Sequence, residues 1–239
     1  MDFMNVKLPS KCLPYKDVDP DGIMIRQLTG REERVLSEVT VSNLNQKVLE
    51  VLKEVVTGVD PKNLTIGDRL FILIWEVMNS FSDDFPISYI CTSCLKKVDG
   101  FVKLSQIELI ELSDDYKEPV PVTLSSGAVV NLRLLTSQDE VLVSDYKNAG
   151  QEEWTYRYAL SIVNESKDIM ELMSFYESLP IKDTAKIRAF QEKYYHGPDM
   201  EATHQCPYCH EEDQISIPFR IEALFPTGKE LVRNFGDRI

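Results

Sequence analysis

The chain has 239 residues, 43% of them hydrophobic and 27% charged, an ordinary globular composition with room for one large domain or two small ones. A formal net charge of -13 and a pI near 4.7 make the average surface repel phosphate. Counterion release therefore cannot drive generic nucleic-acid binding, and the scattered Lys and Arg residues form no basic run to offset the field. Ten Gly and twelve Pro, with no segment repeating at a fixed period, exclude a linker-dominated or solenoid chain.

Met1-Asp2-Phe3-Met4-Asn5-Val6-Lys7 lacks the basic, apolar and small-residue sequence of a signal peptide, so export by that route is not expected. A short strand is predicted at Ile23-Met24-Ile25, followed by the capping box Thr29-Gly30-Arg31-Glu32 and a helix through Val35-Leu36. Ser42 is the predicted cap of a second helix. Its stripe Val48, Val51, Leu52 and Val55 faces the core, and Gly58 is the predicted stop. A third helix, from about Ile66 to Met78, is apolar nearly all round and should be central. Its run Leu70-Phe71-Ile72-Leu73-Ile74-Trp75 falls well short of the roughly 20 residues that span a bilayer, so no membrane partner is expected.

The character then changes. Tyr89-Ile90-Cys91 leads into a knuckle, and Val98, Phe101, Val102 and Leu104 suggest a returning strand. A β-hairpin fits Val120 to Leu135 with Ser125-Ser126-Gly127 at the turn. Three or four helices follow: one opened by a capping box at Ser137-Gln138-Asp139-Glu140, one bearing Trp154, Tyr156 and Tyr158, one with the stripe Ile169, Leu172, Met173 and Tyr176, and one with Ile187, Phe190 and Tyr194, closed by His196-Gly197-Pro198. Strand pattern returns at Ile215, Ile217 and Phe219. The expected fold is α+β: a helical N-terminal part with the first knuckle (1–104), an inserted hairpin and helical unit (105–203), and a second knuckle with a C-terminal strand and tail (204–239).

Four of the five cysteines fall in two Cys-x-x-Cys pairs, Cys91 with Cys94 and Cys206 with Cys209, each ahead of a predicted strand. Two intervening residues let a tight turn aim both thiolates at one ion, and two such turns supply the four ligands of a structural zinc site. More than about 100 residues separate Cys94 from Cys206, far beyond compact zinc-ribbon spacing. Loop-closure entropy grows only logarithmically, however, and a self-folding insertion brings its own ends together. Redox-active dithiols, disulfides and unpaired buried cysteines are the competing readings. His204 and His210 flank the second pair as substitute ligands that four cysteines do not need, and Cys12 reads as a small buried apolar residue.

No phosphate loop, His-Glu-x-x-His helix or nucleophile elbow is present, and three His leave little choice of general base, so no enzyme is expected. Asp83-Asp84, Asp114-Asp115 and Glu211-Glu212-Asp213 read as solvated acidic surface.

Leu8-Pro9-Ser10-Lys11-Cys12-Leu13-Pro14-Tyr15, followed by Ile23-Met24-Ile25-Arg26-Gln27-Leu28-Thr29-Gly30-Arg31-Glu32-Glu33, resembles the T-even-type bacteriophage baseplate hub family. Its members similarly open on Leu-Pro-Ser, a Tyr, and a strand passing into a Leu-Thr-x-x-Glu-Glu helix. The helix bearing Asp68-Arg69-Leu70 and the knuckle Tyr89-Ile90-Cys91-Thr92-Ser93-Cys94 resemble the same family. The likeness covers about the first 105 residues and, more faintly, the last knuckle with Phe219 to Phe225. Cys12 stands where Gly is expected and Pro14 where an aromatic is usual. The resemblance implies a protein of contractile-tailed phages, either an assembly factor or a lasting component of the baseplate's central hub. Its implied partners are hub or tail proteins, met in the host cytoplasm during tail assembly or in the finished baseplate. The alternative is a zinc-ribbon adaptor of phage transcription or replication machinery, favoured locally by Lys96-Lys97, with a dithiol oxidoreductase third.

Overall fold

The computed structural model describes residues 2–217; the predicted Phe219 and the likeness over Phe219 to Phe225 lie outside them. In chain order the described elements are β1 (Met4–Asn5), β2 (Met24–Ile25), α1 (Gly30–Ser37), α2 (Leu44–Val55), β3 (Val56–Thr57), α3 (Ile66–Ser80), β4 (Asp84–Ile90), β5 (Lys97–Lys103), β6 (Leu109–Ile110), β7 (Val120–Thr123) and β8 (Val129–Leu132). Then come α4 (Ser137–Asn148), α5 (Glu153–Leu160), α6 (Ile169–Ser178), α7 (Ile181–Lys193), β9 (Gly197–Pro198), β10 (Glu201–Gln205) and β11 (Glu212–Ser216). The class is α+β: helices with several small antiparallel sheets.

α1 starts on the predicted box. The Thr29 hydroxyl accepts from the Arg31 N–H, and the Glu32 carboxylate accepts from the Thr29 N–H at 2.8 Å. The second helix is capped one residue later than predicted, by Asn43. Its side chain turns outward to accept from the Thr40 N–H and donate to the Glu38 carbonyl, leaving Ser42 bonded to the Thr40 hydroxyl. Gly58 does not stop that helix. The chain leaves α2 at Val55 directly into β3, which pairs with β2 and places Gly58 in the following turn. The second predicted capping box is likewise displaced by one, from Ser137 to Thr136. Thr136 has the extended backbone a cap requires and exchanges bonds with Asp139.

Two larger hydrophobic clusters hold the molecule. One joins Ile23, Ile25, Leu52, Val55, Leu64, Ile72, Leu73 and Phe85 with Ile215 and Ile217 of the last strand segment. The wholly buried Ile23, Ile25 and Leu52 each contribute about 1.5–3 kcal/mol relative to exposure. The other draws on Leu112, Leu132, Ala159, Leu172, Ile187 and Phe190. β6 pairs with β9, Leu109 opposite Pro198, closing the segment that contains the second cluster.

α3 is central but not the apolar rod predicted, since it buries Asp68, Arg69 and Glu76. Asp68 accepts from the Ser10 N–H at 2.9 Å and from the Tyr15 hydroxyl, and so pins the N-terminal segment to the start of the helix. The Thr65 hydroxyl meets His196 Nε2 at 2.6 Å, drawing in the chain after α7. Here Gly67 lies so close to that chain that a Cβ would stand 1.7 Å from the His196 carbonyl oxygen, and Gly197, at φ +117, returns the contact. Glu76 sits beside the Arg26–Glu32 ion pair. Its Oε2 accepts from the Ser80 hydroxyl at 3.2 Å, and its Oε1 is buried without a partner. Burial pushes Glu76 up to about 8, against the pull of Ser80, Arg26 and the Leu28 N–H.

Candidate metal centre

Two hairpins carry the cysteines. β4 and β5 pair from Asp84 opposite Lys103 to Ile90 opposite Lys97, and β10 and β11 pair from Glu201 opposite Ser216 to Gln205 opposite Glu212. β4 and β10 exceed the prediction, which marked only the strands that follow each pair.

The two connecting knuckles are backbone twins. In the first, the Cys91 N–H donates to the Lys96 carbonyl and the Leu95 N–H to the Cys91 carbonyl, each at 3.0 Å. In the second, the Cys206 N–H donates to the Glu211 carbonyl at 2.8 Å and the His210 N–H to the Cys206 carbonyl at 2.9 Å. The residue after each second cysteine is left-handed, Leu95 at φ 59 and His210 at φ 64. Equal spacing has produced equal turns, even where neither turn residue is the Gly that such a φ favours.

The four sulfurs, one from each predicted cysteine, lie within 4.8 Å of one another. Cys91 Sγ is 3.6 Å from Cys209 Sγ, and Cys94 Sγ is 3.7 Å from Cys206 Sγ. A disulfide needs about 2.05 Å, and all the cysteines are free thiols. Thiolates about 2.3 Å from a tetrahedral ion stand about 3.8 Å apart, close to these two separations, and the other sulfur pairs lie within 4.8 Å. Cys91 and Cys206 are fully buried and Cys94 and Cys209 half-buried, with Val98 and Tyr89 packed against them. Four soft sulfur donors with no oxygen or nitrogen fit zinc and leave it no open position.

The electrostatics favour a cation. Desolvation opposes ionisation of Cys206, yet the N–H groups of Tyr208 and Cys209 and the neighbouring thiols bring it down to about 7. At Cys91 the Cys94 N–H pulls down, but desolvation, Asp213 and Cys209 together carry it up to about 12. One thiolate is welcome; a second beside it requires positive charge.

The hairpins also meet outside the sulfurs. The Tyr89 hydroxyl and His204 Nδ1 are 2.9 Å apart, with the rings edge to face. His204 lies against Gly100, where a Cβ would come within 2.9 Å of Nε2. Lys96 Nζ of one knuckle sits 4.8 Å over the Tyr208 ring of the other. Neither His204 nor His210 joins the sulfur cluster.

Sequence reasoning missed Asp213. The run Glu211-Glu212-Asp213 reads as solvated surface, but Asp213 is 3% exposed and accepts from the Thr92 N–H at 3.1 Å and from the Thr92 hydroxyl. The signal was in the strand period: Asp213, Ile215 and Ile217 share one face, and the two isoleucines are core residues.

The family model described as T4 bacteriophage base plate protein matches residues 5–226, most of the chain and all four cysteines. No curated protein and no solved structure matches the chain. The match spans both knuckles and the segment between them, and the chain therefore belongs to the T4 bacteriophage base plate protein family.

Proposed function

We propose that this protein is a non-enzymatic assembly or structural protein of the phage baseplate's central hub, that it acts by binding other hub or tail proteins, and that one structural zinc held by Cys91, Cys94, Cys206 and Cys209 stabilises it. The observation that carries the zinc half is the convergence of four free thiols from two hairpins, all within 4.8 Å of one another and two pairs at 3.6 and 3.7 Å, close to the spacing around a tetrahedral ion. With four protein ligands no coordination position remains to activate water, so the role of the ion is to join the hairpins. Family membership supports baseplate partners. Exposed Trp154, Met170 and Ile181 on the helices, and Ile90, Leu95 and Tyr208 at the knuckles, offer apolar surface for such contacts. The same reading takes 105–203 as an inserted unit, supported by the β6–β9 pairing that brings its ends together.

Native mass spectrometry of the chain co-expressed with the neighbouring tail proteins of its phage tests both halves in one spectrum. One zinc per chain in a stoichiometric complex with a hub protein is expected. A metal-free chain would remove the zinc claim, and a zinc-loaded chain that stays alone with every hub and tail protein would remove the hub claim.

A further inference from the structure

We propose that Asp213 is the positioning residue of the metal centre: from the second hairpin it holds the first knuckle at Thr92, the residue after Cys91, in the place where Cys91 can share an ion with Cys206 and Cys209. The proposal rests on the zinc reading above and deepens it.

Asp213 occupies an inward position of β11, in line with Ile215 and Ile217. An apolar residue is the default there, because burying a carboxylate without compensation is costly. Oδ1 takes both donors of Thr92, the backbone N–H and the hydroxyl, while Oδ2 is buried with no hydrogen-bond partner. One side chain of the second hairpin thus takes both donors of the residue that follows Cys91.

The comparison of the twin knuckles explains why only one needs this contact. In the second, the N–H groups of Tyr208 and Cys209 point at the Cys206 sulfur, and the residue between Cys206 and Tyr208 is Pro207, which has no N–H. In the first, the N–H groups of Ser93 and Cys94 point at the Cys91 sulfur in the same way, but the position of Pro207 is filled by Thr92. Thr92 has an N–H that no sulfur takes. Asp213 takes it, and in doing so ties knuckle to knuckle across 121 positions of sequence. The tie is made of protein alone, so the two halves of the site are held opposite each other before an ion enters.

The test compares the full-length wild type with Asp213→Asn and Asp213→Ala. Zinc affinity is read by competition with a chromophoric chelator, and the stability of the metal-free and zinc-loaded forms by urea unfolding. Asn keeps an acceptor for Thr92 and should bind zinc within about threefold of wild type. Ala removes the tie and should weaken zinc about 10- to 100-fold. Cobalt(II) should still give a four-sulfur tetrahedral spectrum in the Asn variant. If Ala lowers the stability of both forms equally and leaves zinc affinity unchanged, Asp213 is only a fold residue and the proposal is overturned. Equal weakening by Asn and Ala overturns it as well, since the charge and not the hydrogen-bond geometry would then matter. Should the Ala chain fail to fold, Asp213→Ser, too short to reach Thr92, takes its place: tenfold weakening or more, with Asn near wild type, supports the proposal, and unchanged zinc affinity overturns it. A wild type that binds neither zinc nor cobalt refutes the zinc reading itself, and is seen before any variant is compared.

Discussion

Replacing Glu76 by Gln should stabilise the protein at pH 8 and not at pH 5. The side chain is 1% exposed, has one oxygen without a partner, and is held by burial at about 8 against an ordinary value of 4.5. The folded state therefore keeps a proton that the unfolded chain releases above pH 4.5. Stability from this group is whole below 4.5, falls as the pH rises from 4.5 to 8, and is level beyond. At 1.36 kcal/mol per pKa unit, the fall between pH 5 and pH 8 is about 3 to 4 kcal/mol. Gln has the shape of the protonated acid and does not titrate, so it escapes the fall, though its unpaired amide costs about 1 kcal/mol at every pH. Urea unfolding of wild type and variant at pH 5, 6, 7 and 8, with zinc held fixed, isolates the effect, because the cysteines titrate alike in both chains. Expected is a variant slightly less stable at pH 5 and about 2 to 3 kcal/mol more stable at pH 8. A difference that does not change with pH would refute the argument, and would mean that the Arg26–Glu32 pair or water compensates the charge.

Removing zinc with a strong chelator should lower the melting temperature on the order of 10 °C; Cys206→Ser should start near the lowered value and ignore the chelator, as calorimetry with zinc analysis can show. Leu95→Gly should raise stability by about 0.5 to 1 kcal/mol, because Leu95 is 75% exposed and left-handed, so that relief of strain outweighs lost packing. Loss of more than 1 kcal/mol in urea would show that the Leu95 side chain is packed after all. Gly67→Ala should cost about 3 kcal/mol or more by the same assay, since its Cβ would collide with the His196 carbonyl, whereas Gly30→Ala, which meets nothing within 4 Å, should change stability by less than about 0.5 kcal/mol.

The four-cysteine cluster was legible because Cys-x-x-Cys is a local instruction: two residues of spacing suffice to shape each knuckle, and the fold had only to bring the knuckles together. The long helices were legible by their apolar period. What escaped depended on choices between neighbours or on contacts from far along the chain. Thr136 and Ser137 can both cap a helix, and the backbone entering α4 selected Thr136. β6 and β9 have two residues each, too few to show a period, and exist because the ends of the intervening segment meet. Asp68 and Glu76 look like solvated positions of α3 until Ser10, Tyr15 and Ser80 are seen closing over them. Asp213 was hidden by its acidic neighbours, although counting by twos back from Ile217 puts it inside.

The distance between the knuckles in sequence is also a distance in time. Cys94 and Cys206 are 112 positions apart, so a ribosome adding about 5–20 residues per second makes the first pair roughly 6 to 22 seconds before the second pair begins to appear. Through that interval the nascent chain can offer an ion two sulfurs and no more, and such a half-site releases zinc readily. β11 and Ile217, which close the main core, come later still. A chain cut short anywhere before Cys206 would lack half of the sulfur cluster and would not seal its core. On the zinc reading, firm metal capture is then a mark that translation has finished.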